Sequence, residues 1–413
     1  MKATIAGASW LNDAVLQRLL AVLSERGEEV RIAGGAVRDA ILGRDVSDID
    51  VATTTLPDET VRRAEMAGFK VIPTGIQHGT VTVIVNKKPV EVTTLRADVE
   101  TDGRHAVVRF GRDWTVDAGR RDFTINALYA EADGGVIDLV GGLADIERGV
   151  LRFIGDPELR IREDYLRILR FFRFFAWYGS GRPDGDGLRA CARLKDGIDG
   201  LSAERVWSEL KKLLAAPDSS RALLWMRQTG VLTKVLPESE KWGIDAIHAL
   251  VSTEAHYGWI ADPLLRLAAM VPPNEAQMAA LAKRLKFSRD ETSRMTLWAA
   301  TPAAKADTTD ALLHRQLYLG DPAAIIDRLR LALASARSRE ALDEMASYAR
   351  QVKLASAWEQ PVFPVRGADL EALGYSPGPE LGLALKRLQA TWIESGFTLQ
   401  RGALLESAAR PEG

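Results

Sequence analysis

Strand signals in this chain stop near Gly141. Before that point short Val-, Ile- and Thr-rich runs alternate with helical stretches. After it, Ala, Leu, Arg and Glu recur at helical spacing to the end of the 413 residues. A chain patterned this way cannot build one continuous sheet or sandwich. It predicts an α+β fold in which a sheet-bearing head precedes a long helical portion. At about 150 residues per domain the length allows two to four domains. We divide the chain at 1–140, 141–215, 216–275 and 276–413.

Within the head, Leu11–Leu23 predicts an amphipathic helix and Glu29–Ala33 a strand running into Gly34-Gly35. Ala36–Leu42 predicts a short helix ended by Gly43. Ile49–Ala52, Thr80–Val85 and Val90–Thr94 predict strands, with Lys87-Lys88-Pro89 as the turn between the last two. Leu95–Gly119 is charged and weakly periodic and reads as a long loop, a length usually tied to function. Downstream, Glu158–Tyr178 predicts one continuous helix.

Composition narrows the function classes. A net charge of −2 and a pI near 6.3 exclude a polycation that coats nucleic acid by bulk charge, though not a local basic groove. A single cysteine, Cys191, excludes an intrachain disulfide and a thiolate zinc cage, and five histidines leave little for a histidine-rich metal site. No uncharged apolar run reaches membrane-spanning length. Met1 to Arg18 lacks the basic start and apolar stretch of a secretory leader, so a cytoplasmic protein is expected.

Three head segments carry chemistry. Gly34-Gly35, between a strand and a helix start, lets backbone N–H groups approach an anion, and Arg38 can add a charge-assisted bond. A plain tight turn is the alternative. Asp48-Ile49-Asp50 places two carboxylates about 7 Å apart on one strand face, where a cation between them relieves their repulsion. Such oxygen ligands suit Mg²⁺, and Glu91 on a later strand is a candidate third carboxylate. A polar turn is the alternative there. In Arg120-Arg121-Asp122-Phe123-Thr124-Ile125-Asn126, Arg121 can contact triphosphate and Asn126 a sugar or base, against a solvated arginine pair.

In this order and spacing, Gly34-Gly35-x-Val37-Arg38-Asp39, Asp48-x-Asp50 and Arg120-Arg121-Asp122-x-x-x-Asn126 resemble the head motifs of class II tRNA nucleotidyltransferases. That family includes the CCA-adding enzymes and bacterial poly(A) polymerases, within the polymerase-β-like superfamily. Glu163-Asp164-Tyr165-Leu166-Arg167 is similar to the family's Glu-Asp-x-x-Arg motif, with Tyr165 where proline is usual. The resemblance implies a polymerase-β-like catalytic head, a neck that reads the nucleobase, a helical body and a tRNA-binding tail. It also implies Mg²⁺ as cofactor and tRNA, CTP and ATP as substrates.

The chemistry of Asp164 and Arg167 agrees. Cytosine and adenine both present an amino donor beside a ring acceptor. Uracil and guanine present a carbonyl beside a ring N–H. An acceptor and a donor from the protein therefore match C and A and leave U and G mispaired. Arg170 and Arg173 would add positive charge near the nucleotide. On one helix, Glu163, Asp164, Arg167 and Arg170 share a third of the circumference, which an exposed stripe of ion pairs would also explain.

Full CCA addition is favoured by the Leu95–Gly119 segment, which occupies the place of the family's flexible loop. It is also favoured by the Phe363 to Gly382 segment and by the lack of a long basic C-terminal extension. Poly(A) polymerase and CC-only or A-only activity are the alternatives of the same class, and a non-catalytic RNA-binding module is the alternative of another. The Asp262–Met270 segment resembles a phosphohydrolase helix of some relatives, but Val271-Pro272 follows where His-Asp is needed, so a structural role is expected. Phe171, Phe172, Phe174 and Phe175 are expected in the core.

Overall fold

The computed structural model describes residues 3–73, 75–102, 105–240 and 245–408. The chain falls into two compact units, Met1–Pro237 and Glu238–Gly413.

The first unit is built on a mixed sheet. Its strands are β1 (Val30–Ala33), β2 (Ile49–Thr53), β3 (Lys70–Ile72), β4 (Thr80–Val85), β5 (Lys88–Thr94), and, after a separate hairpin of β6 (Arg96–Asp102) and β7 (His105–Phe110), β8 (Leu128–Ala130) and β9 (Val136–Asp138). The sheet runs β3-β4-β5-β2-β1-β8-β9. Only the β2–β5 pair is parallel. In β4, Thr-Val-Thr-Val-Ile-Val alternates half-buried and buried, the period of a strand with one face on a core. That core closes under α1 (Ala14–Leu23), α2 (Gly35–Ile41) and α3 (Pro57–Met66), where Leu16, Leu19, Leu20 and Leu23 meet Val81, Val83 and Val92. Burying each such side chain contributes about 1.5–3 kcal/mol. Asp13 caps α1 through Val15 N and Leu16 N, so the helix begins later than Leu11.

Two local expectations change. The turn between β4 and β5 is Asn86-Lys87, both at positive φ, and Lys88 and Pro89 already pair in the strand. The predicted loop Leu95–Gly119 is instead the β6–β7 hairpin followed by α4 (Trp114–Gly119); residues 103 and 104 lie outside the described residues. Cross-strand pairing supplied the partners that its weak periodicity concealed. Trp114 is buried, donates Nε1–H to Glu29 at 2.9 Å and lies under Arg31.

Helices complete this unit: α5 (Gly142–Arg148), α6 (Pro157–Glu163), α7 (Leu166–Tyr178), α8 (Gly185–Leu194), α9 (Ala203–Leu214), α10 (Ser220–Gln228) and α11 (Val231–Val235). The expected single helix Glu158–Tyr178 is thus two. Asp164 leaves helical geometry at φ −156°, ψ 107°, and its Oδ1 accepts the Leu166 N–H at 3.1 Å, starting a new helix. Phe171, Phe172, Phe174 and Phe175 are all buried.

Among its described residues the second unit has helices and no strand: α12 (Asp245–Tyr257), α13 (Pro263–Met270), α14 (Glu275–Leu285), α15 (Arg289–Ala300), α16 (Asp310–Leu319), α17 (Pro322–Ser338), α18 (Leu342–Ser356), α19 (Gly367–Glu371), α20 (Pro379–Glu394) and α21 (Arg401–Ala408). On α13, Arg266 is buried against Glu254 at 2.6 Å, an internal ion pair.

Candidate active site

Strand order brings the first carboxylates together. Asp50 begins the second position of β2 and is in register with Ala33 of β1 on one side and Glu91 of β5 on the other. Ala33 is the last residue of β1 before Gly34, whose φ of 69° is open to glycine and strained for other residues. The carboxylate pair, the glycine turn and Glu91 therefore meet at one end of three adjacent strands. Asp48 precedes β2 rather than lying in it, and accepts a bond from Ser47 Oγ at 3.0 Å.

The electrostatics match this crowding. Asp50's pKa is raised above the ordinary carboxylate value by partial desolvation first, then by Glu91, with a smaller push from Asp48 and a counter-pull from Arg121. Mutually repelling oxygens at a cleft are a donor set that a hard divalent cation satisfies. Among the described residues no group of three or more His, Cys, Asp or Glu side chains forms a closed metal cage. Two adjacent carboxylates with coordination positions left open toward a cleft fit a hard divalent cation.

Beside Asp50 opens a cleft of about 620 Å³ whose walls include Gly35, Arg38, Arg121, Asp164, Arg167 and Arg173. Arg38 is nearly buried and uses four of its five N–H groups inside the protein: two on Asp39, one on Asn126 Oδ1 and one on the Tyr178 hydroxyl. Asn126 is buried, and its amide bridges Arg38 to Asp122, Nδ2 donating to Asp122 Oδ1 at 3.0 Å. Asp122 in turn accepts from Arg170 Nε at 2.7 Å. Burial alone would raise Asp122's pKa, but Arg170 and Asn126 more than offset that and hold it below the usual carboxylate range. Arg173 pairs with buried Glu209 at 2.6 Å. Arg121 is held by Asp117 at 3.2 Å, and Asp117 also accepts the Tyr129 hydroxyl at 2.7 Å.

The Asp164–Arg167 pair is close in sequence and Arg167 N donates to the Asp164 carbonyl at 3.0 Å, but their side chains take other partners here. Asp164 Oδ2 accepts from Arg205 Nη2 at 2.6 Å. Arg167 donates to the Arg160 carbonyl at 2.9 Å and to Glu163. Both still line the cleft.

Comparison with known proteins decides the family. Residues 30–152 match the model of the poly A polymerase head domain, and residues 184–242 match that of a probable RNA and SrmB-binding site of polymerase A. The mouse mitochondrial CCA tRNA nucleotidyltransferase 1 is 35% identical over 94% of this chain and 88% of its own length. The CCA-adding enzyme of Streptococcus gordonii is 32% identical over 91% of this chain and 92% of its own. The chain belongs to the CCA-adding tRNA nucleotidyltransferases. The crystal structure of the Bacillus stearothermophilus CCA-adding enzyme in complex with CTP superposes with a TM-score of 0.63 at 28% identity, covering 92% of each chain.

For a nucleotidyltransferase cleft, the structure gathers every residue singled out from the sequence except Asp48 and Glu91 into its walls: Gly35, Arg38, Asp50, Arg121, Asn126, Asp164, Arg167, Arg170 and Arg173. Glu91 joins through the sheet register. Sequence reasoning missed Arg205, Glu209 and Tyr178. Arg205 and Glu209 stand at i and i+4 on α9, a spacing that puts both on one helix face, but nothing local says that the face meets α7.

Proposed function

We propose that this chain builds or repairs the 3′-terminal CCA of tRNA from CTP and ATP without a nucleic-acid template, releasing pyrophosphate, and that the residues of this cleft carry the reaction. The observation that supports this most is that Asp50, in register with Glu91 on the neighbouring strand, lines one cleft together with the glycine turn, Asp164 and Arg167.

In this reading Asp48 and Asp50 hold Mg²⁺, with Glu91 as the third carboxylate of the catalytic group. When bound, the cation lowers the pKa of the attacking 3′ hydroxyl and offsets charge on the leaving pyrophosphate. Gly35 and Arg38 bind the triphosphate, and Arg121 supports them. Arg38's one uncommitted N–H is the natural donor to a phosphate oxygen, and Asn126 serves nucleotide binding by keeping Arg38 aimed. Asp164 and Arg167 read the base once it draws them from Arg205 and Glu163, while Arg170 and Arg173 supply positive charge beside it. The head is 1–140, the neck 141–215, the body 216–275 and the tail 276–413, the last binding tRNA. The cytoplasm is the expected place of action.

The test uses tRNA transcripts ending before CCA, after C and after CC, each incubated with Mg²⁺ and single or mixed nucleotides, followed by sequencing of the products. Addition that stops at CCA supports the reading. A homopolymeric A tail, addition of C alone or of A alone, or no incorporation would each overturn it.

A further inference from the structure

Helix α9 lies along α7, and three contacts set their register. Arg205 donates to Asp164, just before α7 starts, at 2.6 Å. Arg173 pairs with Glu209 at 2.6 Å. Trp177 Nε1 donates to the Lys212 carbonyl at 2.9 Å. Residue numbers rise together along both helices, so the two run in the same direction. Arg205, Glu209 and Lys212 stand at i, i+4 and i+7 and share one face of α9. Arg205 and Lys212 both line the cleft.

The two ends of that face differ. Arg205 stands at the Asp164 end, assigned above to the base. The other end of α7 meets α2, which begins at Gly35: the Tyr178 hydroxyl accepts from Arg38 Nη2 at 2.6 Å, and the Arg38 guanidinium lies 4.0 Å from the Tyr178 ring. Trp177, next to Tyr178, is the residue that holds the Lys212 carbonyl. Lys212 therefore stands at the end of the cleft assigned to phosphate. Seven residues separate it from Arg205, about 10 Å along the helix axis. That span is comparable with the reach from a nucleobase across its ribose to the outer phosphates.

Charge sets Lys212 apart from its neighbours. Every arginine that lines the cleft has a carboxylate within ion-pair distance. Among the described residues Lys212 has none, and it is exposed. Paired guanidiniums shape the wall and offer hydrogen bonds, but their charge is already matched. A polyphosphate entering the cleft thus meets one cation without a fixed counter-charge. An ammonium on a four-carbon stem suits phosphate oxygens that change position as a bond breaks. Lys211, about 100° round the helix, lies 5.7 Å from the Trp207 ring instead and does not line the cleft.

We infer that Lys212 is a further nucleotide-binding residue of this cleft, its ammonium holding the β- or γ-phosphate oxygens of the incoming nucleoside triphosphate and then the pyrophosphate released from it. The inference rests on the functional reading proposed above, but it is tested by affinity for polyphosphate and not by nucleotide addition, so the two fail separately. Equilibrium binding of full-length protein to CTP, ATP, CMP and inorganic pyrophosphate is measured with Mg²⁺ and without RNA. Lys212→Gln should weaken binding of CTP, ATP and pyrophosphate alike, roughly three- to tenfold, and leave CMP as in wild type. Lys212→Arg should restore most of the loss, and Lys211→Gln should bind all four as wild type does. Affinity of Lys212→Gln for a tRNA transcript lacking CCA, without nucleotide, should be unchanged. Wild-type affinity of Lys212→Gln for CTP, ATP and pyrophosphate would overturn the inference. So would an equal loss for CMP and CTP, the mark of a distorted cleft, or an equal loss in Lys211→Gln, the mark of bulk charge. Weakened tRNA binding with unchanged nucleotide binding would also overturn it, assigning the ammonium to an RNA backbone phosphate. A wild-type chain that binds CTP in this Lys212-dependent way yet adds no nucleotide to tRNA would overturn the functional reading alone.

Discussion

Asp164 and Arg205 are joined by a 2.6 Å hydrogen bond across 41 residues of sequence. The bond ties the break between α6 and α7 to the start of α9 and occupies the carboxylate oxygen that is not capping Leu166. In the reading proposed here, an incoming amino group competes with Arg205 for that oxygen.

Discrimination among nucleotides should therefore depend on three residues. Arg167→Ala and Asp164→Ala should each lose on the order of 1–3 kcal/mol of base discrimination. Arg205→Ala should also relax selectivity against UTP and GTP, because Asp164 loses the partner that orients it. Incorporation efficiency for all four nucleotides on a tRNA ending in C measures this. Variants that are slower but as selective as wild type would assign these residues to holding the helices.

Removal of the acidic pair should be more drastic. Asp48→Ala and Asp50→Ala are each expected to abolish nearly all Mg²⁺-dependent incorporation while tRNA affinity, measured by filter binding, stays near wild type. Substantial incorporation by both variants would reject their assignment as metal ligands.

The hairpin gives a test of the switch between nucleotides. Replacing residues 98–108 with a short Gly/Ser linker should preserve both C additions and impair the final A. Arg112 is best retained, since it binds Glu28 and the Gly27 carbonyl at 2.6 and 2.8 Å. Equal loss of C and A addition would identify a general folding or catalytic defect.

Acid sensitivity should trace to Asp122. Its folded pKa lies below the ordinary value of 3.8, so the carboxylate binds protons less readily folded than unfolded. Its contribution is fully present above the unfolded pKa and is lost as pH falls through the folded one, that is, below about 4. Asp122→Asn should destabilise the chain by about 3 kcal/mol near pH 7, toward the low end for a broken buried pair because Glu209 stands 4.0 Å from Arg170. Thermal melts from pH 7 to pH 3 should show the gap between variant and wild type narrowing below pH 4. A constant gap would remove Asp122 from the account.

What the sequence determined is what local physics can carry. The six-residue alternation of β4, the glycine turn before α2, the four buried phenylalanines of α7 and the order of the acidic and basic motifs all depend on neighbours within a few residues, and all were legible. Tertiary structure decided the rest. The hairpin at 96–110 depends on pairing across strands, which leaves little periodic trace in charged sequence. The break at Asp164 arises because its side chain caps Leu166, an option that helical spacing does not reveal. Asp50 meets Glu91 only because β2 and β5 run side by side, and Asp164 meets Arg205 only because α9 packs on α7. Contacts between distant segments are set by which faces must be buried together, and one strand or helix read alone does not name its partner.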